Sequence, residues 1–260
     1  MASIQTILEA SERIKPYAHQ TPVLTSTTLN DLSGRRLFFK CELFQRVGAF
    51  KFRGAINAVM KLTDDEASRG VVTHSSGNHA QALALAAKIR GIPAYVVMPN
   101  NAPEIKKKAV GGYGATITEC VPTLAAREAA ANEIIARTQA RFIHPFDNDD
   151  IISGQGTATL ELVRQVRDMG TELDCVIAPV GGGGMLSGTC LAAKAMNPGI
   201  TIVAAEPAGA DDCKRSFQEG RLVTITTTNT IADGLLTSMS DRTWRISQSF
   251  TPPLPPPLFP

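Results

Sequence analysis

The chain has 260 residues, 43% apolar and 19% charged, with 26 basic against 24 acidic side chains for a net charge of +2. At about 150 residues per domain this is one large α/β domain or two modest ones; the balanced charge, with no basic stripe carrying interleaved aromatics, excludes a nucleic-acid footprint. Five cysteines (Cys41, Cys120, Cys175, Cys190, Cys213) are odd in number, widely spaced and never C-x-x-C, which fits buried thiols in a reducing compartment rather than a disulfide framework or zinc site.

Residues 1–18 carry Glu9, Glu12 and Arg13 among spaced apolar positions. They read as an amphipathic helix, neither a secretory signal nor an acid-poor transit peptide. No stretch is long and apolar enough to span a membrane, so a cytoplasmic protein is expected. Residues 37–41 read as a strand and 51–62 as a helix. A strand over 71–74 is followed by an alanine-rich helix over 78–90, ended by Gly91. Residues 94–98 are β-like, and Pro103 suits the first position of the next helix. A strand over 115–119, a helix over 124–138 and a strand over 141–144 follow. Then come a helix over 156–167, a strand over 175–179, a helix over 185–196 and a strand over 201–205. This βαβα rhythm predicts an α/β fold with parallel sheet covered by helices on both faces. The expected organisation is a large domain from 1–69 and 147–244, with 70–146 as a small inserted domain. Residues 245–260 read as a disordered, proline-rich tail, with six prolines in the last nine positions; polyproline II there could meet an SH3-type module.

Four motifs carry chemistry. Gly48-Ala49-Phe50-Lys51-Phe52-Arg53-Gly54-Ala55 sets one lysine between two phenylalanines. Burial against apolar neighbours lowers an amine's pKa, so that it can attack a carbonyl and form a Schiff base; a lysine snorkelling from an amphipathic helix is the plainer alternative. Ser75-Ser76-Gly77-Asn78-His79 lies between a strand and a helix, where it is either an anion-binding turn or a helix cap supplied by Ser76 or Asn78. In Val180-Gly181-Gly182-Gly183-Gly184-Met185, successive glycines cost conformational entropy and favour a backbone that closes on a phosphate over a flexible turn. Glu206, Asp211 and Asp212 could hold Mg²⁺ or Ca²⁺; taken alone, the two aspartates fit first-turn helix acids better. An amine nucleophile, an anion turn and a phosphate loop together specify pyridoxal 5′-phosphate.

With these motifs in order, the chain resembles the fold-type II pyridoxal-phosphate enzymes of the tryptophan synthase β-like fold, and within them the serine racemase and serine/threonine dehydratase family. The likeness runs from about Thr21 to Trp244. It includes Phe39-Lys40-Cys41-Glu42, Gly154-Gln155-Gly156-Thr157, Ala205-Glu206-Pro207 with Ala210-Asp211-Asp212, and Ile231-Ala232-Asp233-Gly234. The resemblance implies that Lys51 carries the cofactor and is the base on one substrate face, with Ser76 the acid/base on the other. It assigns Asn78 to the cofactor's phenolic oxygen and Gly181, Gly182, Gly183, Gly184 and Met185 to its phosphate. Ser75, Ser76, Asn78 and His79 position the substrate carboxylate. Glu206, the Ala210 carbonyl and Asp212 hold a divalent cation (Mg²⁺, Ca²⁺ or Mn²⁺), and Asp233-Gly234 forms a loop near the cofactor. Biosynthetic threonine dehydratases have alanine where Ser76 stands, so a hydroxyl there points to two-base racemisation of L-serine to D-serine, alongside elimination to pyruvate or 2-oxobutanoate and ammonia. A homodimer is expected. Beyond Trp244 the family pattern, including a Ser-Gly-Gly-Asn-type loop at the pyridine nitrogen, is not found, and a truncated chain with apolar surface exposed is the expectation. The alternatives are a β-replacement enzyme of the cysteine synthase type, and a cofactor-free interaction protein.

Overall fold

Capping and close packing set most element boundaries. A computed structural model describes residues 1–250, in two compact units: Glu9–Pro145, and Met1–Leu8 with the chain from Phe146 onward. The chain opens on α1 (Ile4–Ile14). The N-terminal unit, Glu9–Pro145, then carries an antiparallel pair, β1 (Val23–Leu24) and β2 (Phe39–Lys40), around α2 (Thr27–Ser33), which Ser26 caps. Next come α3 (Lys51–Lys61) and α4 (Asp64–Ser68), the latter started by a reciprocal capping box between Thr63 and Glu66. Three strand–helix repeats follow: β3 (Val71–His74) and α5 (Asn78–Arg90), β4 (Ala94–Pro99) and α6 (Glu104–Gly112), β5 (Thr116–Cys120) and α7 (Leu124–Thr138). The unit closes with β6 (Arg141–Phe142). Gly91 ends α5 in the left-handed region at φ 73°, where glycine carries no steric cost.

These strands form one parallel sheet in the order β5-β4-β3-β6. Its two faces follow from the register. Val72 lies beside Phe142 and Tyr95, and that face packs Val72 and Val97 on Ala131, Ile134 and Ala140 at α7 and its end. Thr73 lies beside Val96, and the opposite face packs Val96 and Met98 on Ala80 and Ala84 of α5 and Val110 of α6. The sheet is therefore covered on both sides, as a parallel sheet requires.

The C-terminal unit comprises α8 (Asp149–Asp168), β7 (Cys175–Pro179), α9 (Gly184–Met196), β8 (Thr201–Ala205), α10 (Asp212–Glu219) and α11 (Asp241–Gln248). β7 and β8 pair in parallel. Val176, Ala178 and Ile202 pack on Leu186, Cys190, Ala193 and Trp244. The alternate residues face outward, Ile177 at 66% and Val203 at 37% exposure, so among the described residues this pair is covered on one face.

Four boundaries differ from expectation. α8 begins at Asp149, not 156, because Asn148 caps it by accepting from the N–H groups of Asp150 and Ile151. Gly154 and Gly156 therefore sit inside a helix. Gly156 is needed there: a Cβ would lie 2.6 Å from Ile7 and 3.0 Å from the Gly188 carbonyl. Strands expected over 37–41 and 141–144 shorten to two residues each. The expected tail begins inside α11, which a Ser240–Thr243 capping box starts and the burial of Thr243, Trp244 and Ser247 holds to Gln248; the remaining polyproline expectation, 251–260, lies outside the described residues. Packing also groups 9–69 with 70–145, since α3 lies along α5, whereas the sequence expectation joined 1–69 to 147–244. Among the described residues no helix is long and apolar enough to cross a membrane.

A methyl group at Gly188 would lie 2.5 Å from the Gly156 nitrogen and 2.7 Å from the Ile152 carbonyl, both backbone. Gly188→Ala is expected to force α8 and α9 apart and cost about 2–3 kcal/mol, read as a lower urea midpoint. An unchanged midpoint would show that the crossing relaxes freely.

Candidate active site

The approach to Lys51 is a strained, well-anchored stretch of backbone. Gln45 takes the Arg46 N–H on its side-chain oxygen at 3.0 Å and donates to the His19 carbonyl at 2.8 Å. Val47 then turns through φ 57° and Gly48 through φ 68°. A β-branched residue in the left-handed region costs roughly 1–2 kcal/mol, so the surroundings must hold it. α3 starts at Lys51, and two residues on Arg53 is fully buried. Its Nε and one terminal nitrogen donate to the two Glu42 oxygens at 2.8 and 2.9 Å, and the Thr21 hydroxyl donates to Glu42 at 2.6 Å.

Lys51 is partly buried. Its amine donates to the Pro145 carbonyl at 3.1 Å and lies 5.4 Å from the centre of the Phe50 ring. Burial pushes its pKa down from 10.5 to about 8, so a useful fraction is neutral near physiological pH.

β3 delivers the chain into Ser75-Ser76-Gly77-Asn78-His79. Gly77 is the cap position of α5 and no side chain caps it, so the alternative in which Ser76 or Asn78 serves as the cap is not what forms. Ser75 instead accepts from the Gly77 N–H at 3.4 Å, while the Ser76 hydroxyl and Asn78 amide make no hydrogen bond among the described residues. His79 is 2% exposed. Burial first, then the Lys51 charge, depresses its pKa to about 3, so the ring is neutral. Its Nε2 lies 3.2 Å from the Ile143 carbonyl, which can only accept; the proton is therefore on Nε2. Nδ1 is an acceptor, buried and without a partner. His74, Phe142 and His144 form an aromatic cluster with centroids 5.3 to 6.1 Å apart. Burial also lowers the His74 pKa, with a smaller contribution from the Arg127 charge, and the Arg127 Nε is buried without a hydrogen-bond partner.

In the C-terminal unit the tetraglycine links β7 to α9. Here the glycines answer to packing. A Cβ on Gly182 would lie 2.2 Å from the Phe146 ring, one on Gly183 (φ 82°) 2.8 Å from Thr243, and one on Gly184 3.0 Å from Phe146. Thr243 donates to the Gly182 carbonyl at 2.9 Å, and Gly181 abuts Gly234 and Leu235, which brings the Asp233-Gly234 loop alongside. No side chain caps α9. Its first-turn N–H groups, including that of Met185, are thus left for an anion, and the donor set fits a phosphate.

Glu206 follows β8, and Asp212 is the first residue of α10. Glu206 accepts from the Lys214 N–H at 3.2 Å and Asp212 from the Met239 N–H at 3.1 Å. Burial, with Asp212 and Asp211 adding, pushes Glu206 up to about 7, and burial raises Asp212 too. Asp211 is tied to Arg215 at 2.8 Å. No group of three or more His, Cys, Asp or Glu side chains is placed to hold a metal among the described residues. Two crowded carboxylates near buried Ala210 nonetheless offer oxygen donors of the kind a hard divalent cation takes.

Residues 14–251 match the family model described as "Pyridoxal-phosphate dependent enzyme". The chain belongs to that family. It is 53% identical over 245 residues to serine racemase of Arabidopsis thaliana, covering 94% of this chain and 73% of that one. It is 51% identical to a beta-hydroxyaspartate dehydratase of Paracoccus denitrificans, over 92% of this chain and 75% of that one. The solved structure of maize serine racemase superposes with a TM-score of 0.94 at 50% identity, covering 96% and 75% of the two chains. That of serine racemase from Dictyostelium discoideum gives 0.90 at 52% identity, covering 96% and 79%. The fold is thus that of the fold-type II enzymes. Sequence reasoning reached the motif residues but missed the Pro145 carbonyl, the Arg53–Glu42 pair and Arg127. Only Glu42 and Arg53 left a trace, inside the Phe39-Lys40-Cys41-Glu42 and Gly48 to Ala55 motifs, and neither motif marks them as a pair.

The Lys51 amine gives up its proton near pH 8 in the folded chain and near 10.5 when unfolded, so its contribution makes stability rise with pH across that window. Lys51→Met should raise the stability of the cofactor-free protein by up to about 3 kcal/mol near neutral pH, at 1.36 kcal/mol per pKa unit. The gain should shrink as pH approaches 10.5, as denaturant titrations at three pH values would show; a pH-independent gain would mean the amine is not perturbed.

Proposed function

We propose that the chain interconverts L- and D-serine, and eliminates ammonia from serine and threonine to give pyruvate and 2-oxobutanoate, with pyridoxal 5′-phosphate as cofactor. The observation that carries this reading is that the chain offers both a buried, low-pKa amine at Lys51 and an uncommitted hydroxyl at Ser76. Lys51 would carry the cofactor covalently. The uncapped start of α9, Gly181, Gly182, Gly183, Gly184 and Met185, would hold its phosphate, and the free Asn78 amide its phenolic oxygen. When bound, the cofactor supplies the electron sink that makes a carbanion at the substrate's α-carbon accessible.

The neutral Lys51 amine takes the α-proton from one face, and the Ser76 hydroxyl returns a proton from the other, inverting the centre. If the proton taken by Lys51 were instead delivered to the β-hydroxyl, that group would leave as water, and a water molecule would complete release of the keto acid and ammonia. The N–H groups at the start of α5, from Ser75 to His79, orient the substrate carboxylate. The His79 ring, with its proton engaged by Ile143, offers that carboxylate no donor of its own. Glu206, Asp212 and the Ala210 carbonyl hold a divalent cation in the same reading, and the protein is a cytoplasmic homodimer.

Lys51→Ala should abolish both activities. Ser76→Ala should lower racemisation by 10²–10⁴-fold, the usual worth of a positioned acid/base, while pyruvate formation from L-serine persists within about tenfold. Chiral chromatography and a coupled pyruvate assay read the two, with L-threonine and 3-hydroxyaspartate in the panel. Racemisation at the wild-type rate in Ser76→Ala would remove Ser76 from the mechanism. Added Mg²⁺ or Ca²⁺ should raise Tm in the wild type and not in Asp212→Asn; no shift in either would remove the cation.

A further inference from the structure

The N-terminal unit contains a cavity that the proposed chemistry does not use. It measures about 310 Å³ and is lined by Glu66, Arg69, Ile135, Gln139, Arg141 and Phe142. It lies by Gly70 and Arg141, where the Arg141 N–H donates to the Gly70 carbonyl. That is the N-terminal end of β3, opposite the end that delivers Ser75 and Ser76.

Most polar groups around it are committed. The Glu66 carboxylate accepts from the Thr63 N–H at 3.0 Å, the Gln139 amide donates to the Ile135 and Ala136 carbonyls, and Arg69 pairs with Asp65 at 2.8 Å. Arg141 is held least: its exposed side chain makes no hydrogen bond or ion pair among the described residues, and its charge is felt by the Glu66 carboxylate only at longer range. Ile135 and Phe142 form its apolar floor. A cation beside an apolar floor in a cavity of this size suits a small amphipathic anion.

The floor also reaches the site. The Phe142 ring centre is 5.3 Å from that of His74 and 6.1 Å from that of His144. His74 is bonded directly to Ser75. His144 is bonded directly to Pro145, whose carbonyl holds the Lys51 amine at 3.1 Å. A ligand that shifts Phe142 therefore pushes on two rings, one bonded to Ser75 beside the proposed acid Ser76 and one bonded to Pro145, which holds the Lys51 amine.

We propose that this cavity is an effector site for a phosphate or carboxylate borne on a flat apolar ring, coupled through Phe142 to Lys51 and Ser75. The binding half stands by itself; the coupling half rests on Lys51 being the reactive amine of the proposed function.

The test uses the full chain without cofactor, with phenyl phosphate and benzoate as probes. Calorimetry should give one site for at least one probe, the tighter naming the anion, and Arg141→Ala, a change at an exposed side chain, should weaken it tenfold or more. Lys51 labelling by trinitrobenzenesulfonate, mapped by mass spectrometry, should change at least twofold in rate when the probe binds. Phe142→Leu should keep the binding and lose that response. No binding, equal binding by Arg141→Ala, or equal binding of inorganic phosphate overturns the site. A Lys51 rate indifferent to bound probe in the wild type, or equally responsive in Phe142→Leu, overturns the coupling. A chain that binds phenyl phosphate yet turns over no amino acid keeps the site and loses the proposed reaction, so the two failures are distinguishable.

Discussion

The buried ion pair between Arg53 and Glu42 is the constraint on which the rest of the N-terminal unit turns. Two charges taken out of water are tolerated only when each is the other's partner and the remaining hydrogen-bonding capacity is filled. Glu42 meets that demand by receiving two Arg53 nitrogens and the Thr21 hydroxyl. Because a fully buried guanidinium is costly without its carboxylate, the start of α3 is held against Glu42, and Lys51 is set two residues before Arg53. The same rigidity explains why a valine can stand at φ 57° in the preceding turn. Strain of that kind persists where the flanking structure leaves the backbone no choice.

With α3 held, desolvation takes over as the organising effect. It lowers the pKa of Lys51, His79 and His74, and raises that of Glu206 and Asp212. In each case burial is the largest cause, and a neighbour of the same sign adds to it at His79, His74, Glu206 and Asp212. Such groups are held short of their charged forms and respond strongly to any ligand of the opposite sign. The N-terminal unit thus collects neutralised bases around the β3–α5 turn. The C-terminal unit collects crowded acids after β8 and unsatisfied N–H donors at α9.

What could be read from the residues was whatever depends on neighbours in sequence. The strands Val71–His74, Cys175–Pro179 and Thr201–Ala205, and the helices Asn78–Arg90 and Leu124–Thr138, coincide with their apolar runs and stop signals. The start of α8 did not, because Gly154 and Gly156 look like helix breakers until Ile7 and Gly188 are seen against them. The Pro145 carbonyl at Lys51 is 94 residues away in sequence, and no local pattern marks it. The glycines after β7 stood out clearly, but part of the reason for them was invisible: Phe146 and Thr243 press on the loop from distant positions.

That last point bears on how loss-of-function variants in this loop should be interpreted. Any side chain at Gly182 collides with Phe146, and one at Gly183 must also accept a left-handed backbone against Thr243. Saturation mutagenesis at Gly182 and Gly183 will therefore return intolerance whether or not an anion ever sits there, whereas the nearest contact at Gly181 is a looser 3.2 Å. Intolerance at these positions carries no information about ligand chemistry. The informative position is the neighbouring Met185, a partly exposed first-turn residue of α9, where a backbone donor can be perturbed without rebuilding the wall behind it.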